Sequence, residues 1–202
     1  MTTFAKRKNL TVSAVLAAVL SVISLSAAAQ VPQSAPLGIY GGANFGVGAA
    51  QWECGTSCNR ATFSGKVFGG KRLTPGLAAE INYMFFGGLD RANDTAKIAQ
   101  TGISSERQKY RALTVGINWE VELLEDFTNH LRVGWAFTRR SDQIVYADGS
   151  TARVKTYGGA PYFGAGLSFR VTEQLRLVNG FDYVIDGKQS YYLFSVGAST
   201  EF

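Results

Sequence analysis

The chain has 202 residues, 20 basic against 15 acidic side chains, 23 glycines, 4 prolines and 12% aromatics. That length holds one domain of ordinary size, and the mixture excludes collagen and low-complexity disorder. Lys6, Arg7 and Lys8 account for three of the basic groups, so the rest of the chain carries 17 basic and 15 acidic groups, a net charge of +2. Its basic balance therefore gives no warrant for nucleic-acid binding.

The N-terminus reads as an export signal. Lys6, Arg7 and Lys8 form the positive region, residues 10–25 are apolar apart from small polar residues, and Ala27-Ala28-Ala29 offers a cleavage site before Gln30. The predicted organisation is a signal peptide over 1–29, a short periplasmic segment over 30–36, and one domain over 37–202. After Ala29 no apolar run is long enough for a membrane-spanning helix. Insertion into a membrane then requires a closed barrel, because a strand in lipid has no other way to satisfy its backbone.

Eight segments alternate with the period of two that marks a strand. The first, 39–48, sets Ala43, Phe45 and Val47 against Gly42, Asn44 and Gly46. The second spans 62–73. In the third, 77–86, Leu77, Ala79, Ile81, Tyr83 and Phe85 oppose Ala78, Glu80, Asn82 and Met84. In the fourth, Leu113, Val115, Ile117, Trp119 and Val121 oppose Thr114, Gly116, Asn118, Glu120 and Glu122. The fifth opposes Leu131, Val133, Trp135 and Phe137 to Arg132, Gly134, Ala136 and Thr138. The sixth opposes Phe163, Ala165, Leu167, Phe169 and Val171 to Gly164, Gly166, Ser168 and Arg170. In the seventh, Leu175, Leu177, Phe181 and Tyr183 oppose Arg176, Val178, Gly180 and Asp182. The last runs to the terminal aromatic, with Tyr192, Phe194, Val196 and Phe202 on one face and Tyr191, Leu193, Ser195 and Glu201 on the other.

Segments of about ten residues tilted by about 40° cross an apolar band of roughly 25 Å. Three connections are tight (Thr74-Pro75-Gly76, the 124–127 region and Thr172-Glu173-Gln174). The others include two predicted long loops, 89–109 and 139–157. Tight turns on one side and longer loops on the other are the layout of an outer-membrane barrel with periplasmic termini. A soluble barrel of lipocalin type would turn its large apolar residues inward to line a cavity. Here the charged face also carries most of the glycine, and the opposite face, with Trp119, Trp135, Phe163, Phe169 and Phe194, would be an untenable apolar surface in water.

The segments IYGGANFGVG, KVFGGKRLTPGLAAEINY, GGAPYFGAGLSFRVTEQLRLVNGFDY and YYLFSVGASTEF resemble the small OmpA-like family of eight-stranded outer-membrane β-barrels. The resemblance covers the chain beyond the signal, although its motifs are loose patterns of glycine and aromatics. It implies an all-β, antiparallel up-and-down transmembrane barrel in the bacterial outer membrane. It also implies insertion by the barrel-assembly machinery, which would read Tyr192, Phe194 and Phe202. Lys71 departs from the family pattern beside its glycine pair, where an aromatic is usual. No peptidoglycan-binding domain follows Phe202, so cell-wall tethering is not expected.

Chemistry is sparse. Cys54 and Cys58 (CGTSC) read as a disulfide in an exported protein and lack the partners of a metal site. His130, the single histidine, lies beside a tight turn at the periplasmic end, far from an outer rim where lipid A would be attacked, and reads as a turn or interface residue. No catalytic residue, cofactor or metal is expected. The densest constellation is the set of inward charges: Lys66, Arg72, Glu80, Glu120, Glu122, Arg132, Arg170, Arg176, Asp182 and Glu201. They are expected to pair inside the barrel, with Glu120–Arg132 one cross-strand pair, because an unpaired buried ion costs several kcal/mol. Arg139, Arg140 and Arg153, in the second long loop, are candidates for contact with lipopolysaccharide phosphates. The reading is a monomeric, non-enzymatic barrel with a structural or surface-interaction role in envelope integrity or adhesion, its loops open to an extracellular ligand. The alternative is a narrow, low-conductance channel for ions or small solutes.

Overall fold

The computed structural model describes residues 38–51, 57–187 and 189–202. The predicted signal peptide (1–29), the segment 30–36 and Cys54 lie outside the described residues. Among those described are nine strands and one short helix: β1 (Ile39–Ala50), β2 (Ser57–Cys58), β3 (Ala61–Thr74), β4 (Leu77–Ala92), α1 (Thr95–Thr101), β5 (Ile103–Leu124), β6 (Phe127–Tyr146), β7 (Thr151–Arg170), β8 (Leu175–Asp186) and β9 (Gln189–Glu201). Apart from the two-residue β2, which pairs with the upper end of β4, the strands form a closed antiparallel ring. Each pairs with the next in sequence, and β9 returns to β1. This is the up-and-down barrel expected from the alternation.

The register gives the ring its dimensions. Starting at Arg111 and stepping across hydrogen-bonded partners, the path runs Phe85, Gly65, Phe45, Val196, Asn179, Leu167, Asn129 and back onto β5 at Val121. The ring is therefore staggered by ten residues, Arg111 to Val121, over eight strands. With about 3.3 Å per residue along a strand and about 4.8 Å between strands, that stagger tilts the strands by about 40°. Ten residues at that tilt climb roughly 25 Å, the height of a bilayer's apolar band. Its outward face carries Phe45, Ile81, Val115, Trp119, Val133, Trp135, Phe163, Leu177, Phe194 and Val196, all exposed.

The strands run further than the alternation predicted. The proposed loops 89–109 and 139–157 are mostly β-structure: β4 continues to Ala92, β5 begins at Ile103, and β6 and β7 reach Tyr146 and Thr151. The reason lies in the outward column of β5. Above Leu113 it becomes Arg111, Lys109 and Arg107, so the ladder continues while the apolar signal stops. Helix α1 caps the β4–β5 hairpin, with Asp94 accepting from the Lys97 amide at 2.7 Å and Gly102 ending it at φ 68°. The β6–β7 hairpin closes at Asp148-Gly149, where Gly149 has φ 81°. Hydrogen bonds from Ser150 hold the Asp148 carboxyl below the ordinary carboxylate range. At the opposite end the strands meet in tight turns, including Pro75-Gly76 with Gly76 at φ 86°.

Candidate functional site

Among the described residues, buried charge is concentrated in the lumen. At its lower rim Arg72 is held by two carboxylates, Nε to Glu120 at 2.7 Å and Nη2 to Glu201 at 2.8 Å. Arg176 Nε lies 2.8 Å from the same Glu201 oxygen, and its Nη1 donates to Thr128 at 3.1 Å. Arg170 and Glu122 form a looser, half-exposed pair at 3.8 Å. One step higher, Arg132 Nε lies 2.8 Å from Glu80, whose other oxygen accepts from Tyr40 at 2.7 Å and Asn118 at 3.1 Å. Above these, Lys66 Nζ donates to Asp182 at 2.7 Å, with both side chains wholly buried. Asp182 also accepts from the Tyr162 hydroxyl at 2.5 Å.

All ten inward charges predicted from sequence thus lie in ion pairs, but one proposed partnership is corrected. Glu120 sits opposite His130 in the β5–β6 ladder and Arg132 sits opposite Asn118. Glu120 and Arg132 are therefore diagonal, two residues out of register, and their side chains reach across the lumen to other strands, Glu120 to Arg72 and Arg132 to Glu80.

Glycine makes the room for this cluster. A Cβ on Gly164 would fall 3.0 Å from an Asp182 carboxylate oxygen and 3.2 Å from Arg132 Cβ, and one on Gly166 would fall 2.4 Å from the Asn179 carbonyl. Inward glycines on β7 and β8 leave the volume that Arg132 and Lys66 occupy.

His130 is not a turn or interface residue. It is buried in the lumen, its Nε2 2.8 Å from Ser168 Oγ and its Nδ1 3.2 Å from the Asn118 amide nitrogen and 3.8 Å from Glu120. Ser168 and Asn118 thus hold the imidazole by both ring nitrogens. The arrangement anchors a side chain.

The upper end of the lumen is filled by three aromatic rings, of which only Tyr191 is placed on an inward face by the alternation. Tyr110 and Tyr191 stack with centroids 3.5 Å apart, and Phe86 meets both edge-on at 5.5 and 5.8 Å. The Tyr191 hydroxyl has two acceptors for its one proton, Gln189 Oε1 at 2.7 Å and Gln108 Oε1 at 2.9 Å, and the Gln108 amide donates to Asp142 at 3.1 Å. Gln108 lies in the predicted loop 89–109 and Tyr110 just beyond it, and both belong to β5.

The residues singled out for lipopolysaccharide divide between faces. Arg139 and Arg153 point outward, but Arg140 turns into the lumen mouth, with Nε 3.0 Å from Asp142 and Nη1 3.4 Å from Gln189. Neighbours on a strand face opposite ways, so Arg139 and Arg140 cannot share a surface. Of the proposed assembly residues, Tyr192 and Phe194 lie on the outer face of β9 and Phe202 follows its end: Phe194 is bare, Phe202 is 82% exposed, and Tyr192 stacks on Tyr183 at 5.0 Å. Cys58 lies in β2 opposite Arg91, whereas Cys54, and with it the proposed bridge, lies outside the described residues.

A family model described as an outer membrane protein beta-barrel domain matches residues 15–202. Among solved structures, neisserial surface protein A superposes with a TM-score of 0.59 at 17% identity, covering 81% of this chain and 97% of that one. Ail, the attachment invasion locus protein of Yersinia pestis, solved with the heparin analogue sucrose octasulfate, gives 0.54 at 12% identity, covering 82% and 99%. The outer membrane protein OprG from Pseudomonas aeruginosa gives 0.52 at 10% identity, covering 82% and 96%. No curated protein matches at the level of sequence.

Proposed function

The chain belongs to the outer membrane protein β-barrel family of bacteria, and from that premise we propose that it is a monomeric, non-enzymatic structural barrel. In this reading it contributes to envelope integrity and presents its hairpins for surface contact or adhesion. The observation that carries the proposal is the filled lumen. Paired charges occupy it from the Arg72–Glu201 rim to Lys66–Asp182, and the Tyr110–Tyr191 stack closes it above. An eight-stranded ring has room for side chains and little else. The surface-contact half draws on the likeness to Ail, which carries attachment in its name on the same barrel fold.

Insertion by the barrel-assembly machinery through Tyr192, Phe194 and Phe202, removal of residues 1–29, and a Cys54–Cys58 bridge belong to the same proposal. N-terminal sequencing of the membrane form is expected to begin at Gln30. The deciding experiment is planar-bilayer recording of the purified, refolded protein. It is expected to show no conductance above background. Reproducible small openings would replace the proposal with a low-conductance channel, and a modified lipid A species in expressing cells would reopen an enzymatic role.

A further inference from the structure

The hairpin extensions of β5, β6 and β7 stand above the apolar band, and their outward faces form a grid. Paired residues run across it in three rows: Arg111–Arg139–Tyr157, Lys109–Ser141–Lys155, and Arg107–Gln143–Arg153. Six of the nine positions are cationic. They line a shallow concavity of about 280 Å³ on the barrel's outer surface.

Arg107 has a carboxylate partner, Asp90 at 2.5 Å. Arg139 rests on the Tyr157 ring at 5.7 Å. Among the described residues no ion pair involves Lys109, Arg111, Arg139, Arg153 or Lys155. Arg111 and Arg139 are direct cross-strand partners, and like charges set opposite one another destabilise a ladder unless an anion lies between them. Five cations without acids, on one face of three paired strands, make a site for more than one negative charge.

Position decides the kind of anion. Directly below the Arg111–Arg139 pair, the same strands present Leu113 and Phe137, then Val115 and Trp135, all exposed. A ligand on the lowest row is therefore continuous with the lipid-facing wall. A molecule with several phosphates above and acyl chains below satisfies both surfaces; a soluble polyanion satisfies the upper one alone.

We infer that the outward face of β5–β6–β7 above Leu113 binds the phosphorylated head group of an outer-leaflet glycolipid, with Arg111 and Arg139 gripping a phosphate at the membrane surface. Guanidinium groups suit bidentate phosphate contact, and the lysines of the next row supply further charge. This site is independent of whether the lumen conducts.

The test uses the full-length protein extracted from the membrane. Bisphosphorylated lipid A and enzymatically dephosphorylated lipid A are titrated onto it in mixed micelles, with and without a soluble sulfated oligosaccharide as competitor. The parent is expected to bind the bisphosphorylated form at least tenfold more tightly than the dephosphorylated one. Arg111→Glu with Arg139→Glu should abolish that margin, and the milder Lys109→Ala with Lys155→Ala should reduce it severalfold. Lys71→Glu, at the opposite rim, should leave it unchanged, and heat-modifiable gel migration verifies folding of each variant. The inference is overturned if both grid variants keep the parent's margin. It is equally overturned if the soluble oligosaccharide displaces lipid A at equal charge concentration, which would make the grid a receptor for polyanions in solution.

Discussion

Replacing Asp182 with Asn would isolate the most deeply buried cation in the barrel. Lys66 and Asp182 are 2.7 Å apart with no exposed side-chain surface. At that distance, with an effective dielectric of about 20, their attraction is about 6 kcal/mol, and desolvating the two ions costs several kcal/mol each. The pair as a whole is therefore close to neutral, but removing one charge leaves the other's desolvation uncompensated. Asp182→Asn keeps an acceptor for the Tyr162 hydroxyl, so the loss falls on Lys66 and should cost about 3–5 kcal/mol. Lys66→Met should cost a similar amount, and the double variant, with both charges gone, should return to within about 2 kcal/mol of the parent. Guanidinium unfolding in phospholipid vesicles, followed by emission from the lipid-facing Trp119 and Trp135, measures all three. If Asp182→Asn lies within about 1 kcal/mol of the parent, or if the two single effects simply add, the ion pair is not what fills the middle of the lumen.

Gly46→Ala should destabilise the barrel by about 1–3 kcal/mol, since its Cβ would lie 1.9 Å from the Phe194 carbonyl at the β1–β9 seam; the same vesicle titration reads it. Deleting Phe202 removes a terminal aromatic and the 2.9 Å hydrogen bond from its amide to Ile39, and should lower the yield of folded protein in outer-membrane fractions severalfold. Tyr110→Ala with Tyr191→Ala removes the upper lid but should create no conductance, because the Lys66–Asp182 layer lies below it; openings in planar bilayers would show that the stacked rings alone close the lumen. Alkylation of the denatured, unreduced protein should add no mass at Cys54 or Cys58 if they are bridged.

The lipid-exposed part of the fold was legible because lipid enforces contrast. On β5 the run from Leu113 to Val121 reads as a strand on sight, and the structure agrees. The same strand from Ile103 to Ala112 was hidden, since outside the bilayer Arg107, Lys109 and Arg111 face water while Gln108 faces the lumen, and both faces become polar. One local signal there was available: Asp148-Gly149 between two polar alternating runs marks a hairpin. Facing was also legible for the ten lumen charges, because side-chain direction depends only on parity. Partners were not, because they depend on register and on reach across the lumen: Glu120 faces His130 and Arg132 faces Asn118 in the ladder, and each finds its counter-ion on another strand. Asn179 interrupts the outward apolar column of β8 for a reason no pattern reveals: its side chain accepts the Leu167 amide at 3.1 Å, satisfying a backbone donor that lipid would leave bare.

The ten-residue stagger also restricts how the molecule can be assembled wrongly. Inside and outside alternate along every strand, so the ring can meet itself only when the offset is even; a one-residue slip of β9 on β1 would put Phe194 in the lumen and Glu201 in lipid. The nearest admissible errors are slips of two residues, which move Glu201 by roughly 6–7 Å and pull it from both Arg72 and Arg176. Those two arginines come from β3 and β8, on either side of the β1–β9 closure. The cluster at the tight-turn rim is thus a key for the final joint, distinguishing the native closure from neighbours that hydrophobicity alone would accept.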